Sequence, residues 1–360
     1  MLILDNIIFY LQKSGGVSVV WNELISRLNK EECLDILFLQ YNTCPDNIYC
    51  GKMNISSRKI LISRLLYLPV QRYIPVRLSS IKEPFIFHSS YYRFSINPFA
   101  INITTVHDFI YEYYIKGIRG RIHLWQKYYS IRNSDYIICV SENTKKDLLK
   151  FVPEVDPAKV RVVYNGVSDD YFVLSGNNSL TKVPFNIKQY IVFVGSRAAY
   201  KNFMFTIDAV MQSHYNLVIV GASLSLEERK ILNIKLGEER YRHVGRVSNE
   251  ELNTLYNNAF ALLYPSSYEG FGIPILEAQK AGCPVIAYNS SSIPEIIGDT
   301  PLLLQSLTIA EVNRCILLLE DLEHRNNIIL NGLKNAKRFS WDRMYGQILA
   351  IYKEALLSKL

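Results

Sequence analysis

The sequence predicts an α/β protein built as two doubly wound parallel-sheet units, and three observations carry that expectation. A chain of 360 residues is longer than one hydrophobic core comfortably serves, so two domains of ordinary size are the starting point. Short apolar runs alternate with longer amphipathic stretches in two successive series, which is the punctuation of βαβ units. Each run ends in polar residues, at the edge where open parallel sheets place their ligands.

The first series opens with LILDNIIFYL (2–11) as a strand, VSVVWNELISRL (17–28) as a helix and CLDILFLQY (33–41) as the next strand. FIFHSS (85–90), INITTVHDF (101–109) and DYIICVSE (135–142) follow as strands, with the aromatic, basic segment from Arg119 to Arg132 as the helix before the last of them. Ser141 reads as an N-cap, with Glu142 favouring the amino end of its helix. After RVVYNGV (161–167) the chain loosens into SDDYFVLSGNNSLTKVP (168–184), rich in Ser, Asn and Gly, which places the linker here and the boundary near residue 170.

The pattern then restarts. QYIVFVGS is a strand, NFMFTIDAVMQS a helix, NLVIVGAS a strand and SNEELNTLYNNA a helix capped by Ser248, with Glu251 three residues on. AFALLYPSS, a helix from about Ile273 and CPVIAYNSS continue the series. The expected division is 1–170, 171–340 and a last helix over 341–360. Two such units predict a cleft between their sheet edges, the default place for a ligand.

Composition excludes several classes. Hydrophobic residues make up 49% and charged residues 20%, so there is no case for disorder. MLILDNIIFY lacks a basic n-region and carries Asp5, and no stretch of 18 apolar residues free of charge follows, so neither a signal peptide nor a membrane span is expected and the chain is placed in the cytoplasm. The six cysteines, Cys33, Cys44, Cys50, Cys139, Cys283 and Cys315, form no CxxC pair or zinc-spaced cluster, so no metal is expected. The net charge of +7 is uneven: between Asp46 and Glu83 stand Lys52, Arg58, Lys59, Arg64, Arg72, Arg77 and Lys82 with no acidic residue. Interleaved with Ile60, Leu61, Leu65, Leu66, Leu68 and Val70, residues 52–82 read as a basic amphipathic stretch suited to an anionic membrane on its cytoplasmic face, or as a solvated helix face.

Four motifs carry chemistry. In Tyr268-Glu269-Gly270-Phe271-Gly272-Ile273-Pro274-Ile275-Leu276-Glu277, glycines and a proline lead into a helix whose first N–H groups can meet an oxyanion or sugar hydroxyls. Glu269 falls at the loop and Glu277 about two turns along the helix, too far apart for a general acid and base pair. In VGSRAAYKN (194–202), Arg197 and Lys201 follow a strand at a helix start, a pairing of cations that suits a diphosphate. Gly15 and Gly16 lie between the first strand and first helix, where backbone can approach a ligand. Thr105-Val106-His107-Asp108-Phe109 ends a strand, and FHSSYYR, with His88 and Tyr91, ends another. Ordinary strand-turn-helix junctions, a solvated Arg/Lys face, a plain tight turn and a structural histidine are the competing explanations of the four.

EGFGIPILEAQKAGCPVIAY resembles the E-x7-E region of glycosyltransferase family 4, and the likeness runs over nearly the whole chain. The resemblance implies a GT-B fold, two Rossmann-like domains facing across a cleft, and retention of anomeric configuration. It implies that Glu269 contacts hydroxyls of the donor sugar, that Glu277 holds the ribose, and that backbone amides of Gly270, Phe271 and Gly272, with Ile273 at the helix start, assist. Arg197 and Lys201 match the family's R-x3-K pyrophosphate clamp, and Gly15 and Gly16 its Gly-Gly facing the donor phosphate. His107 matches the H-D motif that meets the sugar near its C6 hydroxyl; Asp108 then orients the loop or contacts the acceptor, as His88 and Tyr91 do. FSWDRMYGQILAIYKEAL resembles the family's last helix, which crosses back to the first domain.

With no D-x-D triad at a strand end, leaving-group charge falls to Arg197, Lys201 and helix N–H groups, and neither metal nor other cofactor is expected. The mechanism implied is front-face attack, the departing phosphate taking the acceptor's proton. DNIIFYLQKSGGVS and VHDFIYE resemble bacterial mannosyltransferases of O-antigen or capsule assembly, which points to GDP-mannose as donor; the acceptor is not read from these residues, and the basic stretch 52–82 suits a lipid-linked oligosaccharide. UDP- and dTDP-hexoses stay open. The alternatives are a different GT-B activity, such as a phosphorylase or a sugar-nucleotide epimerase, and a basic binding module without activity; no RNA-binding signature accompanies the charge.

Overall fold

The computed structural model describes residues 1–31, 34–41, 46–50, 53–63, 68–175 and 183–358. The chain divides into two compact units, one of Met1–Gly166 with Trp341–Leu360 and one of Val167–Ser340.

Among the described residues, the first unit holds a parallel sheet of β1 (Leu2–Asp5), β2 (Ile36–Tyr41), β3 (Ile60–Ser63), β4 (Phe85–Ser89), β5 (Ala100–Val106), β6 (Tyr136–Cys139) and β7 (Val160–Val162). Their spatial order is β3-β2-β1-β4-β5-β6-β7, so the strand order reverses between β1 and β4, with Leu4 in register with both Phe38 and His88. The helices are α1 (Ile8–Leu11), α2 (Gly16–Leu28), α3 (Leu68–Gln71), α4 (Ile110–Tyr114), α5 (Ile118–Arg132) and α6 (Glu142–Phe151). Ser141 Oγ accepts the Thr144 amide and caps α6 as its sequence predicts. Ile3, Leu39, Phe85 and Phe87 pack together on one side of the sheet.

The second unit repeats the plan with β8 (Tyr190–Val194), β9 (Asn216–Val220), β10 (Tyr241–Gly245), β11 (Ala261–Tyr264), β12 (Val285–Tyr288) and β13 (Leu303–Leu304), in the order β10-β9-β8-β11-β12-β13. Strands such as YIVFV and NLVIV are nearly continuous apolar runs because a parallel sheet is covered on both faces. The covering helices are α7 (Phe203–Met211), α8 (Leu226–Leu236), α9 (Asn249–Asn258), α10 (Ile273–Lys280), α11 (Ile293–Ile297), α12 (Ile309–Glu320) and α13 (Leu322–Ala336). Ile191, Phe193, Ile207, Leu217, Ile219 and Leu263 form part of a single core. Both α8 and α9 begin with reciprocal capping boxes, Ser225 with Glu228 and Ser248 with Glu251.

The last helix, α14 (Trp341–Leu357), belongs to the first unit and packs on α2 and β4. It buries Trp341, Met344, Ile348, Ile351 and Tyr352. Arg27 Nε donates to Asp342 Oδ1 at 2.7 Å, and Arg161 Nη2 to Glu354 Oε1 at 2.7 Å.

Two expectations need correction. The run 2–11 is not one strand: β1 stops at Asp5, whose carboxylate accepts bonds from Tyr41, Ser89 and Arg93, and Ile8–Leu11 turns into α1. The basic amphipathic stretch 52–82 is not one continuous element among the described residues. Ser57–Lys59 is a 3-10 turn, Ile60–Ser63 pairs with β2 as the edge strand, and Lys59 Nζ is drawn to the carbonyls of Asn29 and Glu31. Lys52, Arg64, Leu65 and Leu66 of that stretch lie outside the described residues, as do Cys33 and Cys44. The sequence patterns do not mark α1, α3, α4, α8, α11, α12, α13, β3, β7, β10 or β13 as separate elements, although Ser225 and Glu228 spell the start of α8.

Candidate functional site

In the second unit the strand order reverses between β8 and β11, and the carboxyl ends of those two strands carry the motif residues. Asn202 stitches the two loops together. Its left-handed backbone (φ 52°) ends the turn after β8, and its Nδ2 donates to Pro265 O at 2.8 Å and Ser267 Oγ at 2.7 Å. The Ser267 amide returns a bond to Tyr200 O at 2.7 Å. This brings Lys201 against Glu269 as a mostly buried ion pair, Nζ to Oε1, with Tyr264 Oη 3.4 Å from the same ammonium.

Arg197 is held differently. Its Nε donates to Glu228 Oε1 at 2.7 Å and its Nη2 to Ser223 O at 2.7 Å, while Nη1 is buried with no hydrogen-bond partner. The side chain is only 8% exposed, so that third nitrogen is a desolvated donor awaiting an acceptor. The backbones beside it approach closely because the residues there are glycines. Gly195, Gly221 and Gly245 end three neighbouring strands with positive φ, and a Cβ on Gly221 would fall 2.4 Å from Gly195 O.

The loop from Glu269 to Gly272 is fixed from below. Ser291 Oγ accepts the Glu269 amide at 2.8 Å, and Ser292 Oγ donates to the carbonyls of Glu269 and Phe271 at 2.9 and 3.1 Å. Gly272 takes φ 102° to turn the chain into α10, which opens Ile273-Pro274. Phe271 turns its ring inward, 5.8 Å from Phe339. Two turns on, Glu277 Oε2 accepts from Tyr256 Oη at 3.2 Å. Burial pushes the Glu277 carboxyl up to about 7, against the opposing pull of hydrogen bonds from Tyr256 and Tyr171. Burial, then the neighbouring Glu269, holds the Tyr264 phenol well above its usual range.

The remaining predicted residues lie in the first unit. His107 follows β5 and borders a small recess with Val20, Trp21, Val140 and Asn165. Burial, and then the Lys127 charge, lowers it to about 4, so the imidazole is neutral at neutral pH. Lys127 itself is buried, bound to Asp108 O at 2.6 Å and Glu112 Oε1 at 2.8 Å. Asp108 Oδ1 accepts the Ile110 amide at 3.0 Å, so it shapes the turn into α4. Gly15 is extended and Gly16 heads α2, where a Cβ would meet nothing within 4 Å.

His88 is a correction. It is completely buried, with Nδ1 2.6 Å from Tyr352 Oη and Nε2 2.9 Å from Thr105 Oγ1, which leaves no ring nitrogen for an acceptor. Burial, then His107, lowers it to about 3. Tyr91 is half-buried, its Oη 3.2 Å from His123 Nδ1 and its ring beneath the Arg72 guanidinium. Sequence reasoning missed Asn202, Glu228, Tyr256, Tyr264 and Ser291; only Glu228 carried a local signal, as the third position of a capping box.

The sequence matches the family described as Glycosyltransferase Family 4 over residues 14–171 and the family described as Glycosyl transferases group 1 over residues 181–335. It is 28% identical over 269 residues to the O-antigen chain mannosyltransferase B of Escherichia coli, covering 70% of each chain. Its fold is similar to sucrose-phosphate synthase from Thermosynechococcus elongatus, with a TM-score of 0.76, 17% identity and 99% of each chain covered. It is likewise similar to Anabaena HepE in complex with UDP and glucose, with a TM-score of 0.73, 15% identity, and 100% and 99% of the two chains covered. Both are GT-B structures, and the two parallel-sheet units share that fold.

Proposed function

Because this chain belongs to glycosyltransferase family 4 and is a hexosyltransferase, we propose that it transfers mannose from GDP-mannose, with retention, to a lipid-linked glycan in surface polysaccharide assembly. The observation that supports the reading best is the meeting of Arg197, Lys201 and Glu269 at the reversal of the second sheet. A sugar diphosphate has an anionic half and a hydroxylated half, and this site offers a partnerless guanidinium nitrogen and an ammonium next to a carboxylate.

In this reading Arg197 Nη1 and Lys201 Nζ take the diphosphate oxygens, and Glu269 accepts hydroxyl protons of the sugar. Glu277 accepts from the ribose hydroxyls. His107, neutral, supplies a hydrogen bond to the sugar, and Gly15 and Gly16 leave the amino end of α2 open to phosphate. Tyr91 and Asp108 are the acceptor-side contacts. The acceptor oxygen bonds to C1 as the C1–phosphate bond breaks on the same face, and the acceptor's proton goes to the departing phosphate oxygen. The two cations neutralise that oxygen, so the reaction needs no metal and proceeds in excess chelator.

The test is thermal stabilisation of the purified chain by GDP-, UDP-, dTDP- and ADP-sugars. A selective rise with GDP-mannose supports the donor. A UDP-hexose is the second reading, since HepE was solved with UDP and glucose; a rise with UDP-glucose alone replaces the donor and keeps the site. No rise with any of the four removes the site assignment.

A further inference from the structure

Helix α5 is amphipathic in the wrong sense for a soluble domain. Its inward side is largely polar, with Ile131 and Gly120 the other buried residues. Gln126 Nε2 donates to Arg72 O at 2.8 Å, Lys127 pairs with Glu112, and Ser130 Oγ lies 2.9 Å from Thr104 Oγ1. Its outward side is apolar. Ile118, Ile122, Trp125 and Tyr129, at i, i+4, i+7 and i+11, are 75%, 43%, 55% and 39% exposed, and the Trp125 and Tyr129 rings stack at 5.5 Å. A continuous apolar stripe left in water marks a surface meant to be covered.

Along the helix itself the charge has one sign, although Arg132 at its carboxyl end is paired with Glu154 from outside the helix, Nε to Oε1 at 2.6 Å. Lys116, Arg119 and Arg121 are exposed beside it, no carboxylate occurs between Glu112 and Asp135, and the Glu112 side chain is buried against Lys127. A second copy on this face would set these cations against their own counterparts, which opposes association. An anionic bilayer satisfies both features: the interface takes indole, phenol and isoleucine to shallow depth while its phosphates meet lysine and arginine. No helix among the described residues is long and apolar enough to cross a membrane, so attachment of this kind lies on the surface.

We propose that the outer face of α5, through Ile118, Ile122, Trp125 and Tyr129 with Lys116, Arg119 and Arg121, docks the protein on an anionic lipid bilayer. This goes beyond the sugar-transfer reading and does not depend on the donor. It also moves membrane contact away from residues 52–82.

The experiment uses the full chain with vesicles of phosphatidylcholine, with and without phosphatidylglycerol, read by co-sedimentation and by tryptophan emission. Trp21 and Trp341 are buried, so a blue shift reports Trp125. Binding and a blue shift with phosphatidylglycerol only, weakened by salt, are expected. Ile118→Ser with Trp125→Ala lowers binding roughly tenfold or more, and Arg119→Ser with Arg121→Ser does so by a similar factor. Stabilisation by the nucleotide-sugar stays unchanged in both variants, which separates this proposal from the transferase reading. Binding without a blue shift, binding indifferent to these substitutions, or no binding at low salt overturns the proposal. So does a dimer that Trp125→Ala dissolves, which would make a second copy the occupant. Should a variant not fold, the emission of the unaltered protein decides.

Discussion

Lys201 and Glu269, 68 positions apart in the chain, share an ion pair at the reversal point of the second sheet, where Tyr264 lies 3.4 Å from the ammonium. The pair couples the cation assigned to the phosphate with the carboxylate assigned to the sugar. Removing either leaves the other desolvated.

Glu269→Ala is therefore expected to lower kcat/KM by about a hundredfold or more, with the folded structure kept. Steady-state transfer rates with circular dichroism check it; an unchanged rate in a folded variant removes the sugar-binding assignment.

Glu228 holds Arg197 while also closing the capping box of α8, with Oε2 accepting the Ser225 amide at 2.7 Å. Glu228→Ala is expected to cost about 1 kcal/mol through the lost cap and to raise the nucleotide-sugar KM roughly tenfold as Arg197 loosens. Urea melts and kinetics read the two effects apart. Loss of stability alone would confine Glu228 to its helix.

Glu277 gives a pH dependence with a definite sign. Its carboxyl is raised to about 7, so below that pH it is protonated and cannot accept from both ribose hydroxyls. Nucleotide affinity is expected to increase from pH 6 to pH 8, by up to about tenfold per unit on the acid side. Titration calorimetry across that range checks it, and in Glu277→Gln the dependence flattens. An equally steep profile in the variant would assign the titration elsewhere.

His88 offers a stability test in the first unit. Its folded pKa, lowered to about 3, lies below the 6.5 of the unfolded chain, so the unfolded state binds the proton first as pH falls. The stability owed to neutral His88 is full above 6.5 and is lost from there toward 3, by up to about 1.4 kcal/mol per unit. His88→Asn is expected to lose one proton's share of that acid slope in pH-dependent urea melts and to leave acceptor KM unchanged. A raised acceptor KM in a folded variant would restore the contact that burial denies.

The sheets were largely legible because parallel strands are apolar throughout and their helices begin with recognisable caps, as at Ser141 and Ser248. Residues 2–11 misled because Ile7–Leu11 is as apolar as the strand before it, and only the tertiary partners of Asp5 end β1 there. Glu269, Glu277, Arg197 and Lys201 could be named from motif spacing. Partners such as Tyr264 and Asn202 could not, nor could the contact of Glu228 with Arg197 although its capping box could, since contacts across 31 to 65 positions leave no local pattern. For α5, the sequence marked a basic aromatic helix; which side of it faces water depends on the polar partners Thr104, Asp108 and Glu112 waiting in the unit beneath.

Because α14 is the last helix along the chain yet completes the first unit, order of synthesis and order of completion diverge. When the ribosome has delivered β1 through β7, Tyr352 does not yet exist, and His88 at the centre of the sheet lacks one of its two partners. The second unit is contiguous and can finish first, although it is made later. A nascent chain released before Trp341 would carry a sheet with its α2 and β4 flank uncovered, an apolar surface of the kind chaperones bind, until α14 has emerged.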